Sequence, residues 1–152
     1  MRKAVGALTG ALATIWLGQA LAADSPKSLV EYRQAVMKSI GASTGAIGMI
    51  VKGEVSYTDQ IPEHADAILE MSLLVPKIFP PNSTYDDYNK TDALPAIWKE
   101  PEKFKTAVED FQKAAAHFAE TAQGSDMDAT TNAYLELGKT CGGCHKPFRH
   151  KE

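Results

Sequence analysis

Cys141-Gly142-Gly143-Cys144-His145-Lys146-Pro147-Phe148-Arg149 is the stretch on which the reading of this chain turns. Cys141 to His145 has the C-x-x-C-H spacing of a c-type haem attachment site. On a helix, positions i, i+3 and i+4 share a face. Two thiols and one imidazole therefore project the same way from a single short segment. The thiols of Cys141 and Cys144 can form thioether bonds to the porphyrin edge, and His145 can reach the iron as its proximal ligand.

Three other readings compete with haem. A C-x-x-C redox pair belongs in a strand-rich, thioredoxin-like context, and no such pattern surrounds this one. A closed structural zinc site takes four ligands. The chain has only two cysteines, and His150 stands five residues past His145, poorly spaced to share its metal. A disulfide between Cys141 and Cys144 would be strained inside a helix and would close almost no loop. The segment at the other end of the chain tips the balance toward haem. Arg2 and Lys3 precede an apolar run from Ala4 to Leu17, and Ala20-Leu21-Ala22 has the form of a cleavage site. Residues 1–22 thus read as a secretory signal peptide, with residues 23–152 as the mature domain. The apolar run is short and broken by Gly6, Thr9 and Gly10, so no stable membrane insertion is expected after cleavage. Export to a bacterial periplasm is where covalent haem attachment takes place.

Loss of Arg2 and Lys3 with the leader takes the formal charge from −3 to −5. No basic patch dominates, which argues against nucleic-acid binding. The remaining length suffices for one domain with a sizeable core. Low aromatic content and abundant Ala, Lys and Glu favour helix.

Working back from the haem motif, Asp126 to His150 reads as the last helix, capped by Ser125 or Asp126. Tyr134, Gly138, Cys141, His145 and Phe148 share one of its faces, and Pro147 should distort its end. Pro101 to Gln123 carries the clearest apolar stripe: Phe104, Val108, Phe111, Ala115, Phe118 and Ala122. His117 lies beside that stripe as a reserve axial ligand. Pro80 to Lys99 is a long connection, long enough to run the length of a bundle and let two helices lie parallel. Its sequons Asn82-Ser83-Thr84 and Asn89-Lys90-Thr91 carry no weight in a periplasmic protein. Ile61 to Phe79 reads as a helix that Pro76 tightens and Pro80-Pro81 ends; His64 in its first turn reads as exposed. Pro26 to Val51 reads as the first helix, with Ser25 as N-cap and Leu29, Tyr32, Val36, Ile40, Ile47 and Val51 at helical spacing. Gly41, Gly45 and Gly48 allow either a close approach or simple tolerance, and Gly53 suits the end. On the flank of this helix lie Arg33 and Met37. Methionine is usually a core filler, but in a haem protein it is also an axial ligand. Arginine suits a carboxylate such as a haem propionate. Four amphipathic helices make the fold class all-α, a single four-helix bundle.

The chain resembles the class II c-type cytochromes, the cytochrome c prime family. The resemblance rests on the C-terminal position of the haem pentad and on the aromatic and basic residues in His145-Lys146-Pro147-Phe148-Arg149. It extends to Tyr32-Arg33-Gln34-Ala35-Val36-Met37 and to Pro95-Ala96-Ile97-Trp98. It implies an antiparallel four-helix bundle, often a homodimer, with one covalent haem c per chain. By resemblance Cys141 and Cys144 are the thioether cysteines, His145 the proximal ligand, Arg149 the basic residue beside it and Arg33 a residue near the propionates. Met37 falls where the family places a side chain over the open face of the iron. In low-spin members a methionine there is the sixth ligand and the protein carries electrons. In high-spin members an apolar side chain blocks the site and only small gases, nitric oxide or carbon monoxide, enter. The expectation is a periplasmic one-electron carrier that meets other periplasmic redox proteins, with gas binding as the alternative. It is not expected to be an enzyme, because no distal His or Arg is evident for acid–base work.

Overall fold

Ser25 opens α1 (Pro26–Val51) as its position before a proline predicts. Its backbone is extended, and its side chain accepts a hydrogen bond from the Ser28 amide at 3.1 Å, which satisfies one orphan donor of the first turn. At the other end Gly53 adopts φ +72°. The Gly53 amide donates to Ile50 and the Glu54 amide to Met49, both at 2.9 Å, closing the α1 carbonyls in a Schellman arrangement that favours glycine. The computed structural model describes residues 23–150. The expected leader, residues 1–22, lies outside them, as do Lys151 and Glu152.

The other helices are α2 (Ile61–Ser72), the single turn α3 (Ala96–Lys99), α4 (Pro101–Ala122) and α5 (Met127–Phe148). α2 stops seven residues before the expected Phe79, and the chain continues as a 3-10 turn over Val75–Lys77. Pro76 explains the early stop, since it has no amide to give the Ser72 carbonyl. The Gln112 side-chain amide of α4 donates to that carbonyl instead, at 3.1 Å. α5 begins at its Asp126 cap, whose side chain accepts from the Ala129 amide at 2.9 Å. It ends at Phe148 rather than His150. Past Pro147 the backbone turns extended at Arg149 and forms an antiparallel bridge with Ala93.

α1 packs along α2, α2 along α4 and α4 along α5, each antiparallel to the next, while α1 and α5 have little direct contact. The long connection does not span the bundle, contrary to the expectation for a loop of its length. It folds over one end, where the Trp98 indole donates to the Phe79 carbonyl at 3.2 Å. Phe79 meets Trp98 and Phe104 edge-on, and Phe104 meets Phe148 in the same way at 5.3 Å between ring centres. This aromatic cap closes the end of the bundle that holds the C-terminus of α5.

The core follows the expected stripes on α2 and α4, with Ile68 and Phe118 fully buried; on α5 it is Thr130, Ala133 and Leu137 that turn inward, and of the expected face only Phe148 is buried. On α1, Val36, Ile40 and Ile47 are buried as expected, but the first turns differ. Tyr32 is 56% exposed, and Val30 and Arg33 are buried in its place. A single arginine on an otherwise apolar helical row reads as a flank from sequence, and only its partners make its burial tolerable. No helix among the described residues is long and apolar enough to cross a membrane.

Candidate cofactor site

The gap between α1 and α5 is a slot made of two adjoining cavities. One, of about 390 Å³, has an almost wholly apolar lining drawn from α1, α4 and α5, including Ile40, Val108 and Phe111. The other, of about 510 Å³, opens toward the aromatic cap and is edged by Arg33, Gln34, Lys38, Asp92 and Arg149. Both volumes lie in the ~300–1,000 Å³ range of cofactor clefts. Met37, Gly41, Val75, Cys144 and His145 line both, so the cavities meet where the candidate ligands stand.

Helical spacing on α5 sets the geometry. Cys141, Cys144 and His145 all turn to the slot, and both thiols are free. The Cys141 thiol donates to the Leu137 carbonyl at 3.5 Å. Burial pushes both thiols above their ordinary range, with Cys141 adding to the effect on Cys144. Burial also lowers the His145 imidazole, and the charge of Arg149 adds to that. Both effects act against the imidazolium and so favour the neutral form that ligates a metal.

The slot is closed at its inner end by Tyr134. Its hydroxyl donates to the Thr44 carbonyl of α1 at 3.1 Å. Gly48 makes this approach possible, because a Cβ there would lie 2.9 Å from the Tyr134 oxygen. Of the three glycines singled out on α1, Gly48 therefore serves helix contact. Gly41 and Gly45 line the slot, where a Cβ meets nothing within 4 Å.

Arg33 stands at the mouth of the slot, held by groups of the long loop. It is 3% exposed. Nη1 donates to the Ser83 hydroxyl at 2.8 Å and the Ile78 carbonyl at 3.4 Å. Nη2 donates to the Thr91 hydroxyl at 2.7 Å and the Ser83 carbonyl at 3.1 Å. The guanidinium also lies 4.8 Å over the Phe79 ring. Burial lowers its pKa, yet an arginine stays charged. Neutral acceptors and a ring face stabilise that charge in place of a carboxylate. Arg33 still edges the outer cavity, so its four bonds anchor the loop at the slot's mouth.

Arg149 reaches the same mouth from the other side and pairs with Asp92 at 3.3 Å. Gly138, expected on the slot face, instead borders a separate surface hollow with Asn132, Leu135 and Lys139. His117 is exposed and edges neither cavity of the slot, so the reserve ligand is out of place. His64 is half-buried rather than exposed, at the far end of α2. Ser83, Thr91, Asp92 and Tyr134 carry the geometry and were not singled out as site residues in the sequence. Ser83 and Thr91 sit within the two sequons set aside there, a pattern with no bearing on their role.

The residues present fit a haem. Two free thiols and an imidazole stand on one face of α5. An apolar cavity suits a flat ring, and a polar mouth suits its carboxylate edge. The family model of cytochrome c′ matches residues 28–149. Cytochrome c′ of Rhodospirillum rubrum is 36% identical over 97% of this chain and 97% of its own length. Among solved structures, cytochrome c prime from Shewanella frigidimarina superposes with a TM-score of 0.78 at 29% identity, covering 84% of this chain and 98% of that one. A nitric oxide complex of a mutant of cytochrome c prime from Alcaligenes xylosoxidans gives 0.75 at 27% identity, with the same coverage. Sequence, fold and donor set agree, and the chain belongs to the cytochrome c′ family, whose members carry one covalent haem c per chain.

Proposed function

We propose that this protein is a periplasmic one-electron carrier in which Cys141 and Cys144 hold the haem, His145 is its proximal ligand and Met37 its sixth. The observation that carries the reading is the meeting of Met37 and His145, from facing helices, at the junction of the two cavities. The bound haem supplies a one-electron iron couple, whose potential a thioether axial ligand raises. The chain's part would be to hold the Met37 and His145 side chains at fixed spacing on two long helices, so that little rearranges when the charge changes. Val75, Ile40 and Phe111 keep the slot dry. Gln34, Lys38, Asp92 and Arg149 edge the mouth, where a redox partner would approach across a small transient interface.

A second reading has support in the nitric oxide complex of the Alcaligenes relative. In it, Met37 is a gate rather than a ligand, and a small gas enters on its side of the slot. An optical spectrum of the haem-loaded protein separates the two. The carrier reading predicts sharp low-spin ferrous bands and a ferric methionine charge-transfer band, both lost in Met37→Ala. A broad high-spin ferrous Soret band that shifts at once with carbon monoxide, unchanged by Met37→Ala, would sink the carrier reading.

A further inference from the structure

α1 and α5 wall the slot but scarcely touch each other. At the inner end Tyr134 joins them through Thr44. At the mouth they are joined by neither helix, but by the short run from Lys90 to Leu94. On the α1 side, the Lys90 carbonyl accepts from the Gln34 side-chain amide at 2.9 Å, and the Thr91 hydroxyl accepts from Arg33 at 2.7 Å. On the α5 side, the Asp92 carboxylate pairs with Arg149 at 3.3 Å, and the Asp92 carbonyl accepts from the His150 amide at 2.7 Å. The Leu94 amide donates to the Phe148 carbonyl at 2.9 Å. Arg33 lies one helical turn before Met37, and Arg149 one turn after His145. Two adjacent residues therefore hold two arginines, one a turn from Met37 and the other a turn from His145.

We propose that Thr91 and Asp92 are positioning residues: the segment Lys90 to Leu94 is a tie-bar that sets the spacing of Met37 and His145 across the slot. This rests on the reading of Met37 and His145 as the side chains facing the iron. The physical case is leverage. α1 and α5 are held at Tyr134 near the closed end and at the tie-bar near the open end, with Met37 and His145 between. Loosening the tie-bar lets the open ends spread while the inner joint stays in place. Spreading withdraws the methionine, or widens the gate, according to which function is correct.

The test uses the haem-loaded protein with Thr91→Val, Asp92→Asn and the two combined. Thr91→Val keeps the shape and removes the acceptor of Arg33; Asp92→Asn removes the charge that pairs Arg149. Thr91→Ser is the conservative rescue, since it keeps the hydroxyl. Gln112→Leu, which breaks the bond to Ser72 away from the slot, controls for general loosening. The combined variant should bind carbon monoxide about tenfold faster, the scale of one or two lost hydrogen bonds. Amide exchange at Leu94 and His150 should quicken, while Thr91→Ser and Gln112→Leu leave both readings at wild-type values. If the parent shows the methionine charge-transfer band, that band should weaken in the combined variant. A parent without the band refutes Met37 as ligand but leaves the tie-bar to be judged by carbon monoxide rate and exchange. A combined variant with band, rate and exchange all unchanged refutes the tie-bar whatever the parent's ligand. If the combined variant fails to fold, the single variants carry the test, and an unchanged rate in both refutes the proposal equally.

Discussion

Replacing Arg33 by methionine should cost this fold about 3 kcal/mol, even though a charged residue is exchanged for an apolar one of similar length. Three of the four hydrogen bonds made by the guanidinium are between 2.7 and 3.1 Å, and the fourth is 3.4 Å. A bond to a charged group contributes roughly 1.5–3 kcal/mol, and a partly desolvated cation–π contact roughly 1–2. The sum overstates the loss. Methionine removes the desolvation of the guanidinium, the Ser83 hydroxyl keeps its bond to the Pro80 carbonyl at 2.7 Å, and the Thr91 hydroxyl keeps the Ala93 amide at 3.1 Å. The Ser83 carbonyl is left without its donor in a buried place, at a cost of roughly 1–3 kcal/mol. With an unfolding entropy of about 2.1 cal/mol/K per residue over about 130 residues, 3 kcal/mol lowers Tm by about 11 °C. Urea and thermal unfolding of the haem-loaded protein, followed by far-UV circular dichroism, measures it. Arg33→Lys should recover only part of the loss, because an ammonium cannot reach Ser83 and Thr91 as a fork does. A loss under about 1 kcal/mol for Arg33→Met, or full recovery by lysine, would mean that the loop is held by something other than this guanidinium.

Two further outcomes follow from the slot. Gly48→Ala and Gly45→Ala both gain about 1 kcal/mol of helix propensity. Only the former brings a Cβ to 2.9 Å from the Tyr134 oxygen. Gly45→Ala should therefore stabilise the haem-free chain in urea. Gly48→Ala should be neutral or worse, since the displaced Tyr134 loses about 1 kcal/mol with its bond to Thr44. Equal stabilisation by both would contradict the close approach of α1 and α5 there. In the haem-free chain, both thiols are pushed up by burial, so iodoacetamide at about pH 8 should alkylate Cys141 and Cys144 more slowly in the folded protein than in urea. The stability linked to these protonated thiols is present below the unfolded thiol pKa and is lost as pH rises through the folded value. Folded and unfolded chains reacting alike would count against that burial.

The family, the bundle and the haem motif were legible in the chain because each rests on short-range order. Helical periodicity follows from the spacing of side chains on one element, and Cys141, Cys144 and His145 share a face for the same reason. Ser25, Gly53 and Asp126 end or begin helices through bonds to their near neighbours. Pro76 shows where local reading fell short: it ends α2 at Ser72, and the donor for the carbonyl it frees, Gln112, comes from another helix.

The sequence by itself determined which residues could grip an iron porphyrin, and that helices would carry them. The tertiary structure alone decided that Arg33 turns inward while Tyr32 faces water, that the long loop caps one end, and that Thr91 and Asp92 join the two sides of the slot. The physical reason is sequence separation. Arg33 meets Ser83 and Thr91 across 50 and 58 residues, and Arg149 meets Asp92 across 57. Contacts of that kind leave no periodic trace in the chain, because they are set by how closed helices meet rather than by any one helix.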